Sequence, residues 1–126
     1  MNQQEHIFFG IIAFLIYIGI FYFIIKNAIV GFFFSIVCVI FAIVCVIIGS
    51  ILPDKLEPAD NWMHRRICHS IRALNFFVKI FVVTAIISLI SIVLFRNFLV
   101  FYVSCLVLGY TVHLLADSTT QVGLPD

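Results

Sequence analysis

The chain is predicted to be all-α: a polytopic membrane protein, a bundle of four transmembrane helices with a polar loop between the second and third. Three observations carry this expectation. The 126 residues are 64% apolar and only 10% charged, with 15 Phe, against roughly 45–50% apolar in soluble domains. The apolar residues fall into four runs, each long enough to cross a hydrocarbon core of about 30 Å at about 1.5 Å per residue. The few polar side chains are crowded into short stretches at the ends of those runs: LPDKLEP at 52–58, HRRICHS at 64–70 and GYTVHLLAD at 109–117.

The first run, residues 7–25, carries no charge. Glu5 and His6 precede it where a signal peptide would have a basic region, and its apolar part exceeds the usual cleaved segment, so a retained helix is expected. Residues 28–52 form the second, with Pro53 and Pro58 expected to stop regular structure. The third, 76–95, is broken only by Lys79 near its start, whose stem can lie along the helix while its amine reaches the interface. The fourth, 98–117, has His113 as its titratable interruption. Lys26-Asn27 and Arg96-Asn97 are read as tight turns, and 53–75 as the motif loop. The whole of 1–126 is one small domain.

Four helices place the N-terminus, the motif loop and the C-terminus on one face of the membrane. That face holds Lys55, Arg65, Arg66 and Arg72, with Lys79 at its edge, whereas the other holds Lys26 and Arg96. The excess of Lys and Arg puts the motif face in the cytoplasm, and the protein in the inner (plasma) membrane of a cell. All four His and every carboxylate belong to the same face. The four Cys are scattered without a CxxC pair, so no disulfide framework is implied. Cys38 and Cys45 read as small apolar packing groups, and Cys68, between two His, as an outside candidate for a metal ligand.

Ionisable groups at the edge of a membrane domain are costly, which makes each a functional-site candidate. His113 and Asp117 are four apart on a helix, so an imidazole and a carboxylate project from one face and can share a metal. Gly109, one turn earlier, lets a neighbouring backbone approach closely. The bland alternative is a His bonded to a neighbouring helix and an Asp ending its helix in water, with Thr119 and Thr120 offering hydroxyls beside it. His64 and His69 bracket Arg65 and Arg66; imidazole suits zinc, iron or manganese, and guanidinium suits phosphate. A basic segment meeting anionic lipid heads competes with that reading, above all for Arg66 and Arg72. Asp54 and Glu57 follow the second run, where a carboxylate can ligate a metal or orient a ligating His; Glu57 and Asp60 read equally as solvated loop acids. His6 emerges on the same side, one step before the first helix.

In order, the His before the first helix, GSILPD (49–54), HRRICHS (64–70) and GYTVHLLADSTTQVGLP (109–125) resemble the motifs of the YdjM-type family. These are small bacterial and archaeal inner-membrane proteins described as metal-dependent hydrolases. The resemblance implies a metal held by Asp54, His69, His113 and Asp117, with His64 and Arg65 in the same motif. Many members carry a second Asp where this chain has Leu56, a role Glu57 would have to fill, and many continue past the GLP turn.

The expectation is a membrane-bound hydrolase using a divalent metal, zinc ahead of manganese or iron, on a phosphoester or lipid-phosphate substrate. Asp54, His69, His113 and Asp117 are the metal ligands, with His6 and Arg66 as additional candidates. His64 or Glu57 is the acid or base, and Arg65 binds the anion. The partners expected are membrane lipid and a second copy of the chain, with no nucleic acid. The rival is a non-catalytic membrane protein whose metal or polar cluster is structural and whose basic loop docks a cytoplasmic partner or anionic lipid. A transporter or channel subunit is disfavoured, because no charged residue lies mid-run to line a path.

Overall fold

The structure, a computed structural model, describes residues 3–25, 32–57 and 68–119. They form α1 (Gln3–Ile25), α2 (Phe32–Leu56), α3 (Ile71–Phe95) and α4 (Leu99–Ser118), with no strand among the described residues. Each helix is long and apolar enough to cross a membrane, and together they make the expected four-helix bundle.

Several boundaries differ from expectation, each for a local reason. α1 begins at Gln3, so His6 is helical rather than a step outside. Pro53 does not stop α2, which runs on to Leu56. Proline lacks an N–H, but its own carbonyl is intact and accepts from Glu57 N–H at 3.0 Å, so the helix resumes beyond it. α3 begins at Ile71 rather than at residue 76. Ser70 takes the extended backbone of an N-cap (φ −128°, ψ 158°) and its hydroxyl accepts from Ala73 N–H at 3.1 Å. The motif loop is correspondingly shorter at both ends. Pro58 and the Lys26-Asn27 turn lie outside the described residues.

The α3–α4 connection spans Arg96, Asn97 and Phe98. Arg96 is left-handed at φ 51°, and its N–H reaches back to Ile92 O at 3.1 Å, the single bond of an αL cap, with Asn97 N–H on Ser91 O at 3.3 Å beside it. Asn97 Oδ1 then accepts from Leu99 N–H at 2.9 Å and supplies the side-chain cap that Phe98 lacks.

α4 is the most buried helix and packs against the other three, most extensively against α2. Phe14, Tyr17 and Phe21 of α1 and Ala42 and Val46 of α2 close around Phe101, Cys105 and Leu108 of α4. Lipid tails are as apolar as these side chains, so burial alone does not drive helices together; small residues and hydrogen bonds do. A Cβ on Gly109 would collide with the Val46 carbonyl, and one on Gly49 with the Leu106 carbonyl. The two glycines therefore let α2 and α4 meet backbone to backbone. Further along, the Tyr17 and Ser104 hydroxyls bond at 2.7 Å, and Ser88 Oγ approaches Ser104 Oγ at 3.4 Å, tying α1, α4 and α3 together. Ser88, Ser104 and Thr111 also donate to carbonyls of their own helices, which satisfies hydroxyls that lipid could not. Cys38 is buried, Cys45 half-buried, and all four thiols are free, as packing groups should be.

The glycine contact makes a stability prediction. Gly49→Ala or Gly109→Ala should lose about 1–3 kcal/mol through overpacking. Gly19, with open space around it, should tolerate alanine and gain up to about 1 kcal/mol. Thermal unfolding in detergent reads the difference; three equal melting temperatures would contradict the close contact.

Candidate metal centre

The helix ends on one side of the bundle bring five ionisable groups together. α4 presents His113 and Asp117 one turn apart, with Asp117 Oδ2 3.3 Å from His113 Nε2. α2 brings Asp54 in its last turn; the segment capping α3 brings His69; the first turns of α1 bring His6. His69 Nε2 lies 3.2 Å from His113 Nε2, 3.4 Å from Asp54 Oδ1 and 3.7 Å from Asp117 Oδ2. Asp54 Oδ1 is also 3.6 Å from His113 Nε2. Donors about 2.0–2.1 Å from a tetrahedral ion stand about 3.3–3.5 Å apart, so these separations have the right size for one shared cation.

Hydrogen bonding on the outer sides of the rings decides what faces inward. His113 Nδ1 is 2.7 Å from the Ser50 carbonyl, which can only accept, so Nδ1 carries the proton and Nε2 presents a lone pair. His69 Nδ1 is 3.3 Å from Glu57 Oε2, again an acceptor when ionised, so Nδ1–H donates to it. Neutral His69 therefore also turns a bare Nε2 inward. Two imidazole lone pairs and two carboxylate oxygens then point at one another with no proton between them. Such a cluster repels itself unless a cation sits within it, and either a metal ion or a proton on His69 Nε2 meets the need. The proton's share is visible: burial opposes charge on His69, but the hydrogen bonds it donates to Asp54 and Glu57 and the charge of Asp117 outweigh it, and its pKa is raised.

Asp54, His69 and His113 form one group whose ligand atoms could hold a metal ion; His6, His113 and Asp117 form another. They share His113, whose single bare nitrogen serves one ion. Asp117 links them, with Oδ1 3.3 Å from His6 Nε2 and Oδ2 toward the other imidazoles. The His6 ring stacks on His113 at 3.9 Å, and its buried Nδ1 has no hydrogen-bond partner among the described residues. Outer partners of a ligating His fix its orientation; among the described residues His69 and His113 have them and His6 Nδ1 does not, which makes His6 the weaker ligand candidate. Asp54 is the most open of the four remaining donors, with 36% of its side chain exposed against 12% for Asp117 and none for His113.

The expected ligands Asp54, His69, His113 and Asp117 are thus brought together, with His6 beside them. Glu57, expected as an acid or base, sits instead on the outer nitrogen of His69. Among the described residues no cysteine joins either group, Cys68 included. His64, Arg65, Arg66, Asp60 and Thr120 lie outside the described residues. The Thr119 hydroxyl donates to Ala116 O at 2.7 Å and closes α4. Two supporting groups escaped the sequence reading. The Ser50 carbonyl is backbone and has no sequence signature. Tyr110, stacked on Phe77 at 3.9 Å, donates to the Cys68 carbonyl at 3.5 Å and tethers the segment that carries His69. Its place one turn before His113 was the available signal. Comparison of the chain with protein-family models, with curated proteins and with solved structures finds no match.

Opposite pH dependences follow for the two cations. A raised folded-state pKa on His69 stabilises metal-free protein below about pH 6.5, the unfolded value, and that gain is lost as pH rises through the folded value. A metal must displace this proton, so its binding should strengthen over the same window. Melting of chelator-treated protein should therefore fall with pH from about 6 upward, while the increment added by zinc grows; His69→Ala should flatten both. A zinc increment independent of pH would contradict the shared position.

Proposed function

We propose that the chain is a membrane-bound, metal-dependent hydrolase acting on a phosphoester at the membrane face that carries the cluster. The single observation behind this reading is the convergence of Asp54, His69, His113 and Asp117, four electron-pair donors from three parts of the chain, at a helix end open on the Asp54 side. Mixed imidazole and carboxylate donors suit zinc, manganese or iron, and zinc is the proposed ion. Bound there, it would supply Lewis acidity and lower the pKa of water toward neutrality. The chain's own part is positional and electrostatic. Ser50 O and Glu57 hold His113 and His69 in the tautomers that point Nε2 inward. Asp54, the exposed member, borders the route by which water and substrate arrive. Arg65 would bind the anionic group and His64 would accept or deliver a proton, roles carried by their motif and its resemblance to the YdjM-type family. Placement at helix ends favours a substrate reached at the interface, a lipid phosphate, and the charge asymmetry puts this face in the cytoplasm of an inner-membrane protein.

One observation favours a second reading. Asp54, His69, His113 and Asp117 number four donors, enough to close a site, and a closed site is the mark of a structural metal. The chain would then be a non-catalytic membrane protein whose metal braces the helix ends.

Metal content of detergent-purified protein, followed by phosphate release from phosphatidate in mixed micelles, separates the two. The hydrolase reading expects stoichiometric metal, lost in His113→Ala and Asp117→Ala, and release that falls about 10–100-fold in Arg65→Ala, the loss of a charge-assisted hydrogen bond. Metal bound without turnover of any phosphoester would favour the structural centre. Unchanged release in Arg65→Ala would remove the phosphate assignment.

A further inference from the structure

Pro53 lies inside α2, fully buried, one residue before a metal-ligand candidate. A proline within a helix is destabilising because it lacks an N–H and its ring presses on the carbonyl four residues earlier. Here that carbonyl belongs to Gly49, whose in-helix donor would have been the N–H of residue 53. Downstream the helix is repaired, with Glu57 N–H donating to Pro53 O at 3.0 Å. The disturbance is therefore confined to the turn from 49 to 53, the turn that α4 touches. In membrane helices such a defect is tolerated where a neighbouring helix satisfies the backbone it exposes. The neighbouring helix here is α4, and the carbonyl it reaches is the next one along: His113 Nδ1–H donates to Ser50 O at 2.7 Å, within that same turn. In a straight helix this carbonyl points along the axis at the N–H of residue 54; a short bond from the side requires it to tilt outward. The closeness of α2 and α4 at Gly49 and Gly109 puts His113 within reach of it.

We propose that Pro53 is a positioning residue for the metal centre: by breaking the hydrogen bonding of one turn of α2 it turns the Ser50 carbonyl toward His113, and that carbonyl holds the imidazole with Nε2 facing the ion. The proposal rests on the cluster being an ion site, but its first readout does not. In metal-free protein labelled with ¹⁵N-histidine, the wild type should hold His113 as the Nδ1–H tautomer. Pro53→Ala restores the missing N–H and should give a mixture of tautomers. Its zinc affinity should fall about tenfold or more, the range for losing a ligating histidine's outer partner. Its melting temperature without metal should hold or rise, which a merely structural proline would not produce alongside weaker binding. An Nε2–H tautomer in the wild type would overturn the proposal whatever the variant does. So would a Pro53→Ala protein that keeps the wild-type tautomer, or one whose tautomer shifts while zinc still binds as tightly as to the wild type. A changed tautomer in protein that binds no zinc in either form would uphold the positioning role and remove the ion site.

Discussion

The close approach of α2 and α4 is the constraint from which the rest of the arrangement follows. In a bilayer, helices gain little by burying one apolar surface against another, so their spacing is set by what stands between the backbones. At Gly49 and Gly109 nothing does, and the carbonyls of Leu106 and Val46 occupy the space that side chains would take. One turn further on, the same proximity lets an imidazole on α4 bond a carbonyl on α2 and brings Asp54 alongside His113. α1 and α3 then complete the cluster from either side, His6 by stacking on His113 and His69 by entering just ahead of its N-cap.

The cluster itself is a balance of protons. Each ring spends its one N–H on an outer acceptor, His113 on a backbone carbonyl and His69 on Glu57, so both inner nitrogens are electron-pair donors. Adding two carboxylates makes an assembly that cannot be neutral and comfortable in a half-buried place. Protonated His69 is one answer and a metal ion is another. Glu57 lies on the outer side of this balance: its carboxylate raises the basicity of His69 and holds its orientation.

Most of the fold was legible because the bilayer leaves a chain few choices. Four long apolar runs can only be helices, and the even number puts the polar motifs on one side. The helix ends were less legible. Pro53 reads as a stop, but its own carbonyl still accepts from Glu57 N–H and α2 carries on to Leu56. Arg72 and Asn75 look like loop residues, yet they are exposed positions of α3, where a polar side chain at the interface costs little. The members of the cluster were readable from spacing and convergence, since Asp54, His69, His113 and Asp117 are the chemically distinctive residues of the run ends. The support was not. Ser50 acts through its carbonyl, which every residue possesses, and the bond between Glu57 and His69 depends on how the chain turns after α2.

Whether the lone pairs of His69, His113, Asp54 and Asp117 converge on one cation is read by X-ray absorption at the zinc edge of zinc-reconstituted wild type. Convergence gives a shell of nitrogen and oxygen only, at about 2.0–2.2 Å, with the outer scattering of two imidazoles. A sulfur neighbour at about 2.3 Å, which would bring in a cysteine thiolate, or a shell without imidazole scattering would contradict it.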